Sequence, residues 1–354
     1  MYRLLKYTFK PMLTPLILLI VISTSMFGSS LSVPIYYTTS VSFGYDSNIF
    51  KLSTEEMDNA TYEPLILSDS ETFDSAIIRP ELKIKYNPVL FGNHETKVVA
   101  IAKQKIYTSS QSKGYTSYSI SINQHLGRYK WLKIRYALIP NFYLRMYKDK
   151  DLINDIPVEC DFSSENLSID FSFPIIKKTW ANISILNSHL FYNENFTEFD
   201  VDIYDYRVKL STSLFRQFHA KVWFIYGEAE NISFDTNYIS TQDNRAYTHS
   251  LLGGGVKYQY SQTYAISGSA TIDNRFYLSE VEDDPLHSGR EHIDFTIKLS
   301  NSFKLNQNLI LDISSKFRQK MTDSEFNWVE NLKNYNKFEV WVTFKYNSYM
   351  DLFY

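Results

Sequence analysis

Basic side chains recur at two-residue spacing along this chain, as in the pairs Lys83 with Lys85 and Lys133 with Arg135. Successive side chains of a β-strand point to opposite faces, so each pair would lie on one face of a strand. Rings of fixed positive charge attract anions and lower the barrier to their passage. The spacing therefore predicts surfaces that bind or conduct anions.

Residues that could support catalysis or hold a metal form no recognisable pattern. The seven histidines occur without an HExxH motif, and no GxSxG, P-loop or CxxC motif is present. Cys160 is the single cysteine, which excludes a disulfide framework; we expect it in a loop without a role. The acidic run at 280–284 is typical of a solvated loop more than of a Ca²⁺ site. The sequence thus predicts no enzyme, no cofactor and no metal.

Apolar residues alternate with polar ones at period two in blocks of about 10 to 17 residues. The clearest block is 131–146, where Leu132, Ile134, Leu138 and Leu144 share one face and Asn141 lies on the other. Counting such blocks predicts fourteen strands, near 36–46, 75–86, 96–108, 115–126, 131–147, 165–173, 179–192, 201–214, 218–227, 246–260, 263–276, 292–303, 307–320 and 337–354.

Strand length and connection length favour a transmembrane barrel over a soluble β-sandwich. The blocks reach the 9 to 11 residues that a membrane strand needs, whereas sandwich strands usually have about 5 to 6. Short turns alternate with longer connections, as expected for a barrel with its long loops on the cell surface and both chain ends in the periplasm. The surplus of 28 Tyr and 25 Phe fits aromatic belts at the two membrane interfaces. We predict an all-β, antiparallel transmembrane barrel of about 14 strands, with 12 or 16 as neighbouring numbers.

The first 32 residues have the organisation of a secretory signal peptide. Arg3, Lys6 and Lys10 precede the apolar run at 16–22, and small residues follow at 28–30. We expect cleavage between residues 28 and 33, which would leave 33–354 as one barrel domain. The run is too short for a membrane-spanning helix.

Both ends of the predicted barrel resemble bacterial outer-membrane proteins. Residues 41–50 read VSFGYDSNIF, which resembles a Gly-Tyr-Asp-Ser-Asn first-strand motif found in bacterial outer-membrane β-barrels; many of these are uncharacterised and some are tied to polysaccharide or lipoprotein export. The final strand resembles the aromatic signal by which such proteins are recognised for insertion, carried here by Phe344, Tyr346, Met350, Leu352 and Tyr354. Without the resemblance, Asp46 and Asn48 are typical of a turn.

Charge is divided between the loops and the polar strand faces. Most acidic residues fall in the predicted outer loops, while many basic residues fall on polar strand faces. We predict that the following residues line the lumen: Lys83, Lys85, Lys133, Arg135, Arg145, Arg207, Lys209, Lys221, Lys298, Lys316 and Lys345. An internal salt-bridge network that fills a narrow barrel explains the same pattern.

These observations predict a porin-like or export channel in the outer membrane for small anionic solutes or acidic polysaccharide. A closed barrel with a structural or adhesive surface is the alternative, and a membrane-embedded hydrolase is less favoured. The expected partners are outer-membrane lipid, lipopolysaccharide and, during insertion, the barrel-assembly machinery. A net charge of −3 gives no reason to expect nucleic acid.

Overall fold

The chain forms one closed antiparallel β-barrel of 14 strands, which confirms the predicted fold. The structure is a computed structural model, and it describes residues 34–60, 62, 64–88, 90, 94–148, 157–234, 244–279 and 286–350. The strands are β1 (Ile35–Asp46), β2 (Ser75–Tyr86), β3 (Thr96–Tyr107), β4 (Tyr115–His125), β5 (Trp131–Lys148), β6 (Pro157–Ile176), β7 (Thr179–Tyr192), β8 (Val201–Ser213), β9 (Phe218–Asn231), β10 (Tyr247–Gln259), β11 (Tyr264–Tyr277), β12 (Glu291–Lys304), β13 (Leu309–Asp323) and β14 (Tyr335–Met350).

Each strand pairs with its neighbours in sequence, and β1 pairs with β14 to close the sheet. This seam runs in continuous register from Ile35 opposite Met350 to Asp46 opposite Glu339. On its inner side, Thr343 Oγ1 lies 2.9 Å from Ser42 Oγ. Closure leaves no strand edge unpaired, as a sheet surrounded by lipid requires.

The outer face of the barrel is apolar. Phe43, Ile185 and Leu252 are 50%, 52% and 56% exposed at the middle of their strands, which is typical of side chains that meet lipid and not a protein core. Every strand Lys and Arg from Arg79 to Arg145 and from Arg207 to Lys345 lies on the inward-facing register. Outward acidic residues such as Asp202 and Glu228 lie in the half of the wall nearer the long loops.

Short and long connections alternate around the barrel, as predicted. The short turns, such as 177–178 and 305–308, lie at the end where β1 begins and β14 ends; we call this end the turn rim. The other end, the loop rim, carries a helix α1 (Thr54–Asn59) in the first loop and a helix α2 (Asn327–Lys333) in the last. No helix within the described residues is long and apolar enough to cross a membrane.

Strand β6 is longer than predicted, and Cys160 is not in a loop. The strand begins at Pro157 instead of 165, and Cys160 is fully buried within it. The acidic residues Glu159 and Asp161 made this segment resemble a loop in the sequence. They flank Cys160 in the strand close to the loop rim, where acidic side chains reach water.

Two β-bulges interrupt the long ladder predicted for β5. They lie between Ile139 and Phe142 and between Tyr143 and Arg145. The first bulge reverses the alternation, so that Phe142 packs at 5.1 Å from Phe162 inside the barrel instead of facing lipid. The single face predicted from 132 to 146 is therefore wrong at Phe142, and the second bulge returns Arg145 to the inward register as predicted.

Three sequence predictions fall outside the described residues. They are the signal peptide at 1–32, the acidic run at 280–284 and the last two residues of the insertion signal, Leu352 and Tyr354. The other residues of that signal, Phe344, Tyr346 and Met350, lie on the outward face of β14 with exposures of 43%, 46% and 56%.

Leu251 and Leu252 test which face of β10 meets lipid, because they are adjacent leucines near the middle of the strand that point to opposite faces. Leu252 faces outward, whereas Leu251 faces the lumen opposite Ile225 and Asp273. We expect Leu252→Arg to destabilise the folded barrel by about 2 to 4 kcal/mol and Leu251→Arg to cost clearly less. Urea unfolding in lipid vesicles measures both values. Equal costs would show that the inward and outward faces are assigned wrongly.

Candidate functional site: the barrel lumen

The inward-facing strand residues form rows across the sheet. One row runs from Lys97 through Asn123, Lys133 and Asp170 to Ser184 on five successive strands. The side chains of a row lie side by side because opposite residues on paired strands point to the same face. The lumen wall is therefore polar, and its chemistry is set by these rows.

Each carboxylate on the inward strand register has a basic partner. The closest contacts include Lys337 Nζ to Asp46 Oδ2 at 2.7 Å and Lys103 Nζ to Glu81 Oε2 at 3.0 Å. The remaining pairs are Lys133 with Asp170, Arg318 with Asp294, Lys316 with Glu339, Lys345 with Asp312, and His249 with Asp205 and Asp273. This part of the lumen matches the salt-bridge network that the sequence allowed.

Many other inward cations have no carboxylate within 4 Å among the described residues. Arg79 stacks over the Trp341 ring, and Lys85 and Lys221 lie over Tyr36 and Trp223. The remaining members are Lys83, Lys105, Arg135, Arg207, Lys209, Lys257, Arg275, Lys298, Lys304 and Lys320. The inward strand register therefore carries more basic than acidic side chains.

All eleven predicted lumen residues lie on the inward register. The structure pairs four of them with acidic partners (Lys133, Arg145, Lys316 and Lys345) and leaves the other seven without a carboxylate within 4 Å in the described part of the chain. Whether they line a conducting passage stays a prediction.

The first loop packs inside the barrel, which sequence analysis missed. Its residues Ile49, Phe50 and Leu52 are buried in a cluster with wall residues that include Tyr107 and Trp341. Leu52 is completely inaccessible. The burial of these side chains stabilises the inward position of the loop by the hydrophobic effect. The loop therefore narrows the lumen at its loop-rim end.

The Gly-Tyr-Asp-Ser-Asn segment turns the first loop inward. Asp46 Oδ1 accepts a hydrogen bond from the Asn48 backbone N–H at 3.1 Å, which forms the predicted turn. The Asn48 side chain then donates to Leu52 O at 2.8 Å and accepts from the Leu52 N–H at 2.8 Å. It also donates to Asn336 O on β14 at 3.3 Å. Asn48 thus links the loop to the barrel seam.

Three further sets of contacts hold the first loop in place: one within the loop, one to the wall and one to the neighbouring loop between β3 and β4. Ser53 caps α1 in a capping box with Glu56, whose Oε1 also accepts from Arg145 Nη1 on β5 at 2.8 Å. Farther along the loop, Asp69 accepts from the hydroxyls of Ser110 and Ser112 at 2.6 Å each. Because the capping box, the ion pair and these hydroxyl contacts lie at different points, the loop is fixed along its length.

Lys113, in the loop between β3 and β4, is buried against this assembly. Its ammonium donates to Tyr143 O at 3.1 Å and Leu144 O at 2.8 Å and lies 5.1 Å from the centre of the Phe50 ring. Burial lowers the pKa of Lys113 to about 7, and the positive charge of Lys51 lowers it further.

The two halves of the lumen differ in their access to water. Near the loop rim, Asp46, Lys337 and His292 are buried. Toward the turn rim, Lys345 has 41% of its side chain exposed and Arg135 is exposed as well. The inner surface is therefore open to water at one end and largely filled at the other.

Four of the five tryptophans lie on the inward register, at positions 131, 180, 223 and 341. Two of them lie flat over a glycine of the neighbouring strand: a Cβ at Gly44 would lie 2.4 Å from the Trp341 ring, and one at Gly253 would lie 2.2 Å from the Trp223 ring. Aromatic belts would place tryptophan on the outer wall. The indole rings of this protein instead face its lumen.

Comparisons with known proteins place the chain among solved barrels without assigning a function. No family model and no curated protein matches it. The outer membrane channel DcaP of Acinetobacter baumannii is 10% identical, with a TM-score of 0.47 over 91% of this chain and 99% of that one. The anion-selective porin from Comamonas acidovorans is 7% identical, with a TM-score of 0.44 over 90% and 99%. A structure described as a bacterial polysaccharide outer membrane secretin is 7% identical, with a TM-score of 0.45 over 90% and 100%. At such identities no residue role passes from those proteins to this chain.

Substitution of Asn48 should release the first loop. Asn48→Ala removes three hydrogen bonds, each worth about 0.5 to 1.5 kcal/mol. We expect trypsin to cleave after Lys51 faster than in the unchanged protein. Asn59→Ala, an exposed position in the same loop, is the control and should leave the cleavage rate unchanged. An unaltered rate in Asn48→Ala would contradict the anchoring role.

The buried Lys113 should make the stability of the loop assembly depend on pH. Its pKa is about 7 in the folded protein and about 10.4 in an unfolded chain. The unfolded chain therefore binds more protons between these values, so stability should rise with pH across that window. We expect a smaller gain from pH 7 to pH 9 in Lys113→Met than in the unchanged protein, measured by urea unfolding in micelles. The same gain in both proteins would contradict the burial, and Lys130→Met, in an exposed turn, is the control.

Proposed function

We propose that this protein is an outer-membrane channel for anionic solutes. The observation that carries the proposal is the charge balance of the lumen: each inward strand carboxylate has a basic partner, whereas Lys83, Arg135, Lys298 and other inward cations have none within 4 Å among the described residues. Unpaired cations along a water-exposed wall favour the entry of anions over cations.

The outer wall supports placement in a membrane. Its exposed residues are apolar at mid-strand, and the described strand side chains put no Lys or Arg on it. A cation at the bilayer centre is costly, so this distribution suits a lipid-facing surface. By analogy with outer-membrane barrels, the long loops would face the cell exterior, lipid and lipopolysaccharide would surround the wall, and the assembly machinery would recognise β14.

The histidines give little support to a hydrolase. His219 contacts Ser213 Oγ at 2.8 Å and His292 contacts Thr322 Oγ1 at 2.9 Å, but neither ring has a carboxylate within 4 Å among the described residues. His189 lies on the outer wall and contacts Asp202, as a base with its orienting group would. No serine or threonine hydroxyl is hydrogen-bonded to its ring among the described residues, so this pair has no nucleophile. Inside, the His249 ring contacts Asp205 at 2.8 Å and Asp273 at 3.3 Å, which occupies both of its nitrogens.

A closed barrel with a structural role is the second candidate, and the first loop favours it. That loop and the residues around it fill the lumen near the loop rim. If the loop blocks passage completely, the unchanged protein would not conduct, while Asn48→Ala would.

Planar-bilayer recording tests the channel directly. Across a KCl gradient, we expect current steps whose reversal potential shows a preference for chloride. Arg135→Glu should shift the reversal potential toward that of potassium because it replaces an exposed lumen cation with an anion. Lys130→Glu, in the exposed turn before β5, makes the same charge change outside the barrel wall and should have a much smaller effect.

Three results would count against the proposal. Cation preference in the unchanged protein would contradict the role of the lumen charge. Equal shifts from Arg135→Glu and Lys130→Glu would show that the wall does not set selectivity. Silence in the unchanged protein, with or without current in Asn48→Ala, would support a closed barrel.

A further inference from the structure

We propose that the lumen wall near the turn rim holds a binding site for an acidic saccharide, meaning sugar rings that carry carboxylate groups. This inference rests on the proposed function, since it names the class of anion that the channel would bind. The site is a cavity of about 410 Å³, a volume within the range of small-ligand pockets. Its lining includes Trp131, Trp180, Lys133, Lys209 and Asn182.

Strand register brings these residues together. Trp131, Ser172, Asn182 and Lys209 are directly opposite one another on four successive strands, β5 to β8. Lys133 faces the same side of β5 two residues farther from the turn rim. The site is thus built on rigid strands and not on a loop, which favours a fixed ligand geometry.

Trp180 provides an apolar platform in an otherwise polar wall. It is partly exposed, and its one ring contact among the described residues is perpendicular to Tyr129, with 6.4 Å between centroids. Trp131 beside it is held by the His125 ring at 4.8 Å and by Lys97 Nζ at 4.1 Å from its centre. A flat aromatic face open to water suits a ligand with one apolar face, which the C–H groups of a sugar ring supply.

Two lysines of the site are available to an anionic ligand. Lys209 has no carboxylate within 4 Å in the described part of the chain. Lys133 is only loosely paired, with its Nζ 4.0 Å from Asp170 Oδ2, while the other carboxylate oxygen of Asp170 accepts from Ser184 Oγ at 2.5 Å. A ligand carboxylate can therefore pair with these ammonium groups without breaking a close ion pair.

Neighbouring amides supply partners for hydroxyl groups. Asn182 donates to Ser172 Oγ at 2.8 Å, and this bond fixes the orientation of its amide and leaves one amide hydrogen for a ligand. A small inorganic anion would not need an indole platform, and an aromatic carboxylate would not use the amides. Sugar rings with carboxylates use the platform, the lysines and the amides together.

Block of the chloride current by a defined ligand tests the site. The probe is trigalacturonate; maltotriose, which has rings without charge, and tricarballylate, which has charge without rings, are the comparisons. We expect trigalacturonate to block at a concentration at least about tenfold below either comparison. Trp180→Ala should weaken this block about tenfold without changing the reversal potential, and Trp180→Phe should restore most of it. Trp328→Ala, half exposed on α2 at the opposite rim, should have no effect.

The outcomes separate this inference from the proposed function. Anion-selective current with equal block by tricarballylate, or with block unchanged in Trp180→Ala, overturns the saccharide site and leaves the channel standing. If no current is seen, the channel fails, and the site is tested by tryptophan fluorescence in micelles: trigalacturonate should change the emission of the unchanged protein at a concentration about tenfold below the one that Trp180→Ala needs. The same emission change at the same concentration in both proteins overturns the site.

Discussion

Closure of the sheet determines where every strand side chain of this protein points. Once β1 pairs with β14, alternate residues face either the lumen or the surroundings, and a one-residue shift would exchange the two sets. The basic residues of the strands share one set with Ser42, Thr343 and the tryptophans, whereas the other set is apolar at mid-strand. The basic side chains on the inward register and the apolar outer wall are therefore two consequences of one hydrogen-bonded seam.

The barrel itself could be predicted from the sequence because it depends on local alternation. The fourteen blocks of alternating residues correspond to the fourteen strands, and most predicted boundaries lie within a few residues of the observed ones. The failures lie where a local signal is ambiguous or was missed. Acidic residues at the start of β6 resembled a loop, and the first β5 bulge was missed although Pro140 lies in it and a proline within a strand favours a bulge. Both features also depend on the partner strand.

The inward first loop could not be predicted because its partners are distant in sequence. Asp46 pairs with Lys337, and Asn48 bonds to the backbone of Asn336, contacts that exist only after the barrel has closed. One signal was present: Ile49, Phe50 and Leu52 are apolar residues at the start of a predicted surface loop. The inward position of the tryptophans could not be predicted either. Trp341 and Trp223 lie over Gly44 and Gly253, and only the pairing of neighbouring strands places each ring against its glycine.

If the strand cations face a water-filled lumen and raise the local concentration of anions, cysteine modification should differ between the two faces of the wall in rate and in charge preference. Thr296 faces the lumen and Ile297 faces outward at the same depth of β12. Each is replaced by cysteine in a Cys160→Ser background. The protein in lipid vesicles is then treated with an anionic and a cationic methanethiosulfonate of similar size. We predict that Thr296→Cys reacts with both reagents and reacts faster with the anionic one. Ile297→Cys should be protected from both reagents. Faster reaction of Ile297→Cys, or preference of Thr296→Cys for the cationic reagent, would contradict this prediction.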